Sequence, residues 1–238
     1  MRSPALLTFM VAVMLLPASG SDAHPRPEQP EAGPRPNASV SGTVRVIAPP
    51  QTPPPTLSPY ARRRAHPPQE PGIAQGSTDA FVYLESLDGR AGSAPDSAAR
   101  IEQHDRMIMP YSTAVRAGQT VEFPNDDDVF HNLFSLSPGN RFSLGRYAPG
   151  VSPTHTFDEP GVVRLFCDIH AEMAGMVLVV DTPWVVRVDD DGGYTLTSVP
   201  PGEYRAVAWH PTAGADTTRL VLDTGAPVEA NFMLALAR

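Results

Sequence analysis

The residues best suited to chemistry lie in one short segment, FCDIHAEM, from Phe166 to Met173. It holds the only cysteine of the chain, Cys167, which is followed at three-residue intervals by His170 and Met173. A further histidine, His131, lies upstream in the segment NDDDVFHNLFS, at the predicted start of a strand. Together these four side chains offer one thiolate, two imidazoles and one thioether.

This combination of side chains is the ligand set of a blue-copper electron-transfer site, in which two histidines and a cysteine form a plane and a methionine binds weakly along the axis. Thiolate and thioether are soft ligands that favour Cu(I), whereas imidazole accommodates both oxidation states of copper. A tight loop after a strand can supply three ligands and a neighbouring strand the fourth. The residue types therefore predict one type 1 copper ion bound by His131, Cys167, His170 and Met173.

Each of these residues has a simpler interpretation when it is taken alone. A single His131 could be a surface or core histidine, and Cys-x-x-His could be half of a zinc site, although structural zinc sites use closed sets of cysteine and histidine without methionine. Met173 could be a core residue. Met176 is a rival axial ligand, but the segment GMVLVV predicts the start of a strand, which favours a packing role for Met176.

The segment from Tyr111 to Val180 resembles a cupredoxin, and its short Cys-x-x-His-x-x-Met loop resembles that of amicyanin and other plastocyanin-like blue copper proteins. The shared landmarks are VRAGQTVEFPNDD, HNLFS, FDEPGVVRLFCDIHAEM and GMVLVV, in that order. The resemblance covers about a third of the chain and implies that the same four residues are the copper ligands. The asparagine after the first histidine ties the two ligand loops together in that family, which implies a supporting role for Asn132.

Two features depart from the family pattern. Many relatives have proline after the loop histidine, whereas this chain has Ala171 and Glu172 there. Glu172 places a carboxylate near His170, where the family has an apolar docking patch, and the run Asp126–Asp128 adds negative charge near His131. These residues favour a redox partner with a basic docking patch. The alternative for Asp126–Asp128 is an ordinary polar turn.

Composition excludes several classes of function. The net charge of −8 at pH 7 argues against binding to nucleic acid or to an anionic membrane surface. No pair of nucleophile and base, no phosphate-binding loop and no second metal cluster is evident, and no His-x-His pair supports oxygen reduction, so an enzyme is not expected. The other histidines lack matching partners and are interpreted as surface residues: His24, His66, His104, His155 and His210.

The N-terminus has the layout of a secretory signal peptide, residues 1–23. Arg2 precedes an apolar run from Ala5 to Leu16, and Ser21–Ala23 is a plausible cleavage site. The apolar run falls short of the ~20 residues that a membrane span needs. We therefore expect a periplasmic or secreted protein, where a lone cysteine is a buried residue, a reactive thiol, an intermolecular bridge or a metal ligand.

The rest of the chain predicts an all-β fold. Proline-rich segments at 24–38 and 48–75 indicate a tether and a loop. The segment SVSGTVRVI between them alternates like a strand, and from Asp79 onward short apolar runs of four to eight residues are separated by Gly, Pro, Asn and Asp. Such spacing is typical of antiparallel β-sandwiches, here a Greek-key cupredoxin sandwich and a second sandwich.

The second sandwich is predicted from VRVDDDGGYTLTSVPPGEYRAVAWHP and ANFMLAL, which resemble the carboxypeptidase-regulatory or transthyretin-like family. Members of that family often begin with SGTV followed by a VYL strand, and both occur here. The prediction is a discontinuous transthyretin-like sandwich formed by 39–97 and 182–238, with the cupredoxin-like domain, 98–181, inserted into it.

The sequence thus favours an exported blue copper protein that carries single electrons between redox partners. One alternative is a copper carrier or scavenger that uses the same ligands. The other is a metal-free adhesion or carbohydrate-binding β-sandwich.

Overall fold

The computed structural model describes residues 37–47, 79–89 and 98–236. Within them the chain forms eighteen β-strands and no α-helix, so the predicted all-β fold is confirmed. The predicted signal peptide, most of the tether and the proline-rich loop lie outside the described residues, as do His24 and His66. None of the described residues belongs to a helix of the length and hydrophobicity needed to cross a membrane.

The strands alternate along the chain with short turns, as the positions of glycine, proline and aspartate predict. In chain order they are β1 (Ala38–Ile47), β2 (Phe81–Ser86), β3 (Ala99–Arg100), β4 (Glu102–His104), β5 (Met107–Met109), β6 (Ser112–Arg116), β7 (Gln119–Glu122), β8 (Leu133–Ser135), β9 (Phe142–Ser143), β10 (Thr154–Phe157), β11 (Gly161–Cys167), β12 (Ala174–Val180), β13 (Val185–Arg187), β14 (Gly193–Val199), β15 (Gly202–His210), β16 (Gly214–Leu222), β17 (Pro227–Glu229) and β18 (Phe232–Ala235).

Strands from both ends of the described chain form one sandwich, which we call the terminal sandwich. One sheet has the order β14-β1-β17, with β18 also paired to β1, and the other has the order β13-β2-β15-β16. Both sheets contribute to a single apolar core. Its largest members are Leu84, Tyr194, Tyr204, Leu222 and Phe232.

The close fit of β1 against the end of the chain explains the glycine of the SGTV segment. A Cβ atom added to Gly42 would lie 1.8 Å from the carbonyl oxygen of Ala230, far inside van der Waals contact. The same carbonyl accepts a hydrogen bond from the buried Tyr194 hydroxyl at 2.7 Å, so the backbone there is held in place. Only glycine allows β1 to approach this closely.

The middle of the chain forms a second sandwich, which we call the central sandwich. Its larger sheet has the order β6-β12-β11-β8-β9, and its smaller sheet has the order β10-β7-β3. The hairpin β4–β5 completes it, because Ile108 of β5 packs into the same core. The other large members of this core are Ile101, Phe123, Leu133, Phe157, Leu165 and Met173.

Strand β12 is buried on both faces, which explains its continuous apolar sequence MVLVV. Val177 and Val179 point into the core of the central sandwich. Leu178 and Val180 point the other way, into an apolar cluster shared with the terminal sandwich, where the ring of Phe81 stacks on Trp209 at 6.3 Å between centroids. The sheet that contains β12 is therefore anchored from both sides.

Of the described histidines interpreted as surface residues, His210 is buried, and that prediction is wrong for it, whereas His155 is partly exposed. His210, at the end of β15, is 4% exposed, and its Nδ1 accepts hydrogen bonds from the backbone amides of Thr212 and Ala213, each at 3.2 Å. His155 stacks on Phe142 with 3.9 Å between ring centroids, and burial lowers its pKa. His104 is exposed, as predicted.

The strand pairing predicts that the terminal sandwich survives a break in the chain. We expect that cleavage at a protease site inserted between Leu87 and Ala98 leaves the two fragments associated, because β1 pairs with β14, β17 and β18, and β2 pairs with β13 and β15. Size-exclusion chromatography of the cleaved protein measures this, with separation in denaturant as the positive control. Fragments that separate under native conditions would support a linear order of independent domains instead.

Candidate metal centre

The pairing of β8 with β11 brings His131 beside Cys167. Cys167 is the last residue of β11 and pairs with Leu133, the first residue of β8. His131 lies two residues before this pair, where its backbone forms a separate bridge to Tyr147, with hydrogen bonds of 3.1 and 2.9 Å in the two directions. The backbone on both sides of the cysteine–histidine contact is therefore fixed by sheet hydrogen bonds.

The short loop between β11 and β12 brings the second histidine to the same place. The hairpin pairing ends at Phe166 opposite Ala174, and the residues beyond it turn back on themselves. The Cys167 amide donates to the Met173 carbonyl at 3.3 Å, and the Met173 amide donates to the His170 carbonyl at 3.1 Å. These bonds close the loop tightly, and the His170 side chain therefore lies close to that of Cys167.

Three potential ligand atoms converge at this point. The Nδ1 atoms of His131 and His170 are 3.3 Å apart, and the Sγ atom of Cys167 lies 3.8 Å from the first and 3.9 Å from the second. A triangle with these sides has its centre about 2.1 Å from each corner, which matches metal–nitrogen and metal–sulfur bonds of about 2.0–2.3 Å. The arrangement fits one metal ion in a three-coordinate plane.

The side chain of Asp127 sets the tautomer of the buried histidine. Its Oδ2 atom lies 2.8 Å from Nε2 of His131, and the two side chains are 9% and 0% exposed. Because the carboxylate accepts a hydrogen, Nε2 carries the proton and Nδ1 turns its lone pair toward Cys167. Burial opposes ionisation of Asp127, but hydrogen bonds from His131 and from the Arg106 amide outweigh it and lower the pKa of that carboxyl.

This contact corrects the interpretation of the acidic run. Asp127 is neither a docking charge nor part of a simple polar turn, because it faces inward against His131. Asp126 and Asp128 are exposed, and Asp126 lies 3.7 Å from Arg100 in a surface ion pair. The signal that could have revealed the contact is an acidic residue four positions before a candidate histidine ligand.

Asn132 connects the two segments that carry the histidines and the cysteine. Its side-chain amide donates to the Asp168 carboxylate at 2.9 Å, and its carbonyl oxygen accepts from the Ser143 hydroxyl at 3.1 Å. The Asp168 amide also donates to the Asn132 backbone carbonyl at 3.2 Å. Since Asp168 directly follows Cys167, these bonds join β8, β9 and the loop after β11.

The two methionines lie on opposite faces of the sheet. Met173 is 1% exposed and belongs to the core cluster that also contains Cys167. Met176 packs in the other cluster, between the two sandwiches, together with Leu178 and Trp209. Met176 therefore packs away from the cluster of Cys167, as its predicted packing role requires, whereas Met173 shares that cluster.

The two histidines of the cluster differ in exposure. His131 is 0% exposed, whereas His170 is partly exposed. Phe130, beside the buried histidine, is 55% exposed, and Glu172 in the loop is exposed as well. The partly exposed imidazole of His170 thus has an exposed carboxylate two residues after it, and the buried imidazole of His131 has an exposed aromatic ring directly before it.

A buried polar pair supports the site from behind and was not predicted from the sequence. The Tyr147 hydroxyl donates to Oε1 of Gln103 at 2.5 Å, and both residues are buried. Burial raises the pKa of Tyr147, and the nearby Cys167 sulfur raises it further. The tyrosine therefore stays neutral and holds the segment that pairs with His131 against the strand β4.

Comparison with known proteins identifies similar solved structures but no family. No family model and no curated protein matches the chain. A purple cupredoxin from Nitrosopumilus maritimus is 28% identical over 34% of this chain and 99% of its own, with a TM-score of 0.32. A reduced amicyanin mutant is 19% identical over 41% of this chain and 99% of its own, with a TM-score of 0.33.

A copper-containing nitrite reductase from Thermus scotoductus is also similar. It is 21% identical over 40% of this chain and 25% of its own length, with a TM-score of 0.34.

The hydrogen bond to His131 predicts a measurable loss of stability when Asp127 is removed. In the metal-free protein, Asp127→Ala leaves the buried Nε2–H without its acceptor, and we expect the free energy of unfolding to fall by about 1–3 kcal/mol. Urea denaturation measures this. The matched control is Asp126→Ala, an exposed position where substitution changes stability by less than about 0.5 kcal/mol. Equal effects at both positions would contradict the supporting role of Asp127.

Proposed function

We propose that this protein is an exported type 1 copper protein that carries single electrons between redox partners. The observation that carries the proposal is the convergence of two imidazole nitrogens and one thiolate sulfur within 4.8 Å, in a largely buried place. Copper bound to His131, Cys167, His170 and Met173 would supply the one-electron couple between Cu(II) and Cu(I). The buried thioether of Met173 on the same side favours copper over zinc.

The protein contributes rigidity to this function. His131 is held by its backbone pairing with Tyr147 and by the Asp127 carboxylate, and the loop of Cys167 and Met173 is held by its own amides. Side chains fixed in this way move little when the charge of the site changes. A small rearrangement between oxidation states is what fast electron exchange requires.

The partly exposed edge of His170 is the proposed exit for electrons. It gives the short connection from the buried cluster to solvent, since His131 and Cys167 are at most 5% exposed. The exposed ring of Phe130, next to His131 in sequence, offers apolar contact area, and the exposed Glu172, two residues after His170, offers negative charge. A transient redox partner needs only a small contact, below ~1,200 Å² in total, and the charges favour one with a basic patch.

The terminal sandwich is proposed to anchor or dock the copper domain rather than to carry chemistry. We retain the division into a discontinuous domain, 39–97 and 182–238, with an inserted domain, 98–181. The signal-like N-terminus supports a periplasmic or secreted location. In this proposal the protein is a carrier and not an enzyme.

A copper carrier or scavenger would use the same cluster without redox traffic, and a metal-free adhesion sandwich would not use it at all. Absorption and EPR spectra of the purified, copper-loaded protein distinguish them. Intense blue colour with the EPR signal of a type 1 copper–thiolate site supports the proposal. Redox cycling faster than copper loss then separates electron transfer from carriage.

The proposed copper–thiolate bond leads to a prediction for the variant that lacks the cysteine. We expect Cys167→Ser to abolish the intense visible absorption, because the charge-transfer band arises from the copper–thiolate bond and the chain has no other cysteine. Spectra of the Cu(II)-loaded variant measure this. An intact band would end the type 1 interpretation.

Two methionine variants provide matched controls for the same spectra. Met176→Leu keeps the volume of a side chain that faces away from the site, so the spectrum should not change. Met173→Leu removes the proposed axial thioether and should shift the reduction potential, which the axial ligand tunes. The opposite pattern would assign the axial position to Met176.

The charge beside His170 predicts a salt-dependent rate. We expect Glu172→Gln to slow reduction of a basic redox protein about two- to fivefold at low salt, since one charge near a contact is worth about 0.5–1 kcal/mol. Stopped-flow oxidation of the reduced protein across a salt series measures this, because screening at 0.1 M acts over about 10 Å.

The control is Asp190→Asn, which makes the same charge change at an exposed position between β13 and β14 of the terminal sandwich. If the electron-transfer rate depends neither on salt nor on Glu172→Gln, docking does not use the His170 edge.

A further inference from the structure

The hairpin β4–β5 carries ligand side chains that the buried cluster does not use. Its turn residues Asp105 and Arg106 have φ angles of 53° and 58°, the conformation of a tight two-residue hairpin. The two strands pair His104 with Met107, Gln103 with Ile108 and Glu102 with Met109.

The alternation along the hairpin separates its two faces. Gln103 and Ile108 are buried, at 0% and 3% exposure. Met107 and Met109 are 50% and 45% exposed, and the His104 side chain is 62% exposed. Methionine is one of the residue types most often fully buried, so two exposed methionines beside a histidine on one face need a reason other than packing.

The strand register places the three side chains on one face, as neighbours within reach of one another. Directly opposite residues in an antiparallel pair have Cβ atoms about 4.5–5.5 Å apart, and diagonal neighbours, about 7–8 Å apart, stay within reach of long side chains. His104 is opposite Met107, and Met109 is its diagonal neighbour on the same face. We propose that the outer face of this hairpin is a Cu(I)-binding site, with His104, Met107 and Met109 as ligands.

The chemical types of these three side chains determine which metal ion the site prefers. Two thioethers and one imidazole are soft and neutral ligands, which favour Cu(I) over Zn²⁺ or other divalent metals. The nearby carboxylate of Glu102 is engaged by Arg100 at 2.7 Å, and the Asp105 carboxylate lies 3.6 Å from Nε2 of His104. The site is open to solvent, so it suits reversible binding better than a closed site such as that of Cys167.

The hairpin also lies against the buried cluster. The Arg106 amide in its turn donates to Asp127 at 3.0 Å, and the same carboxylate holds His131. On its inner face, Ile108 packs so closely on β12 that a Cβ atom added to Gly175 would lie 2.8 Å from it. Bound Cu(I) would therefore be held one hairpin away from the metal centre, a placement suited to metal acquisition.

The test is the stoichiometry of Cu(I) binding to the full-length, copper-loaded and reduced protein. Under anaerobic conditions, Cu(I) is added in competition with bicinchoninate, whose Cu(I) complex is coloured. We expect the wild-type protein to take up one equivalent more than Met107→Leu/Met109→Leu. Leucine preserves the volume and the apolar surface, so this variant removes only the thioethers.

Met233→Leu is the matched control, because Met233 of β18 is 61% exposed but has Arg45 as its strand partner rather than a histidine. It should bind as many equivalents as the wild type. Equal uptake by all three proteins would overturn the proposal.

A second measurement locates the ion without relying on stoichiometry. Ag(I) is a diamagnetic stand-in for Cu(I), and its addition should shift the methyl NMR signals of Met107 and Met109 and leave that of Met233 in place. A shift of none of them, or of all three alike, would contradict the proposal. The two experiments are independent of the buried cluster, since the difference between wild type and double variant remains even if Cys167 binds no copper.

Discussion

The pairing of Cys167 with Leu133 is the constraint on which the candidate metal centre depends. It fixes β11 against β8, and it thereby sets the distance between the cysteine and a histidine that lies only two residues before the pair. A slip of one residue would turn the cysteine to the other face of the sheet. The register is protected because Leu133 and Leu165 are both completely buried in the core beneath the site.

The same sheet is held from its other side, where it packs against the terminal sandwich. Strand β12 closes the loop that carries His170, and its outward residues Leu178 and Val180 lie in the cluster with Phe81 and Trp209. The terminal sandwich therefore covers an apolar face that would otherwise be exposed to water. At about 25 cal/mol per Å² of apolar surface, this burial stabilises the sheet that positions the cysteine loop.

The sequence predicted correctly those elements whose structure follows from one local pattern of residues. Alternating apolar residues predicted β1, and a continuous apolar run predicted β12, because both patterns follow directly from which faces are buried. Cys167, His170 and Met173 share one loop, so their proximity could be anticipated from spacing alone. The sequence could not reveal the roles of Asp127, Tyr147 and the hairpin β4–β5, because these roles depend on which face of a turn or short strand packs against another element. His210 was misread for the same reason, because backbone amides, which leave no trace in the side-chain pattern, satisfy it.

The Asp127 carboxylate contacts both the candidate ligand His131 and the turn of the hairpin β4–β5. It accepts a hydrogen bond from the ring of His131 and another from the Arg106 amide at the tip of the hairpin, so one buried group fixes both a ligand and a turn. The pKa of this carboxyl is lowered because these hydrogen bonds stabilise its charge more than burial opposes it. A carboxylate hydrogen-bonded to a histidine ring fixes the orientation and the tautomer of that ring. The turn of the hairpin and the orientation of the candidate ligand His131 are therefore both fixed by hydrogen bonds to the same side chain.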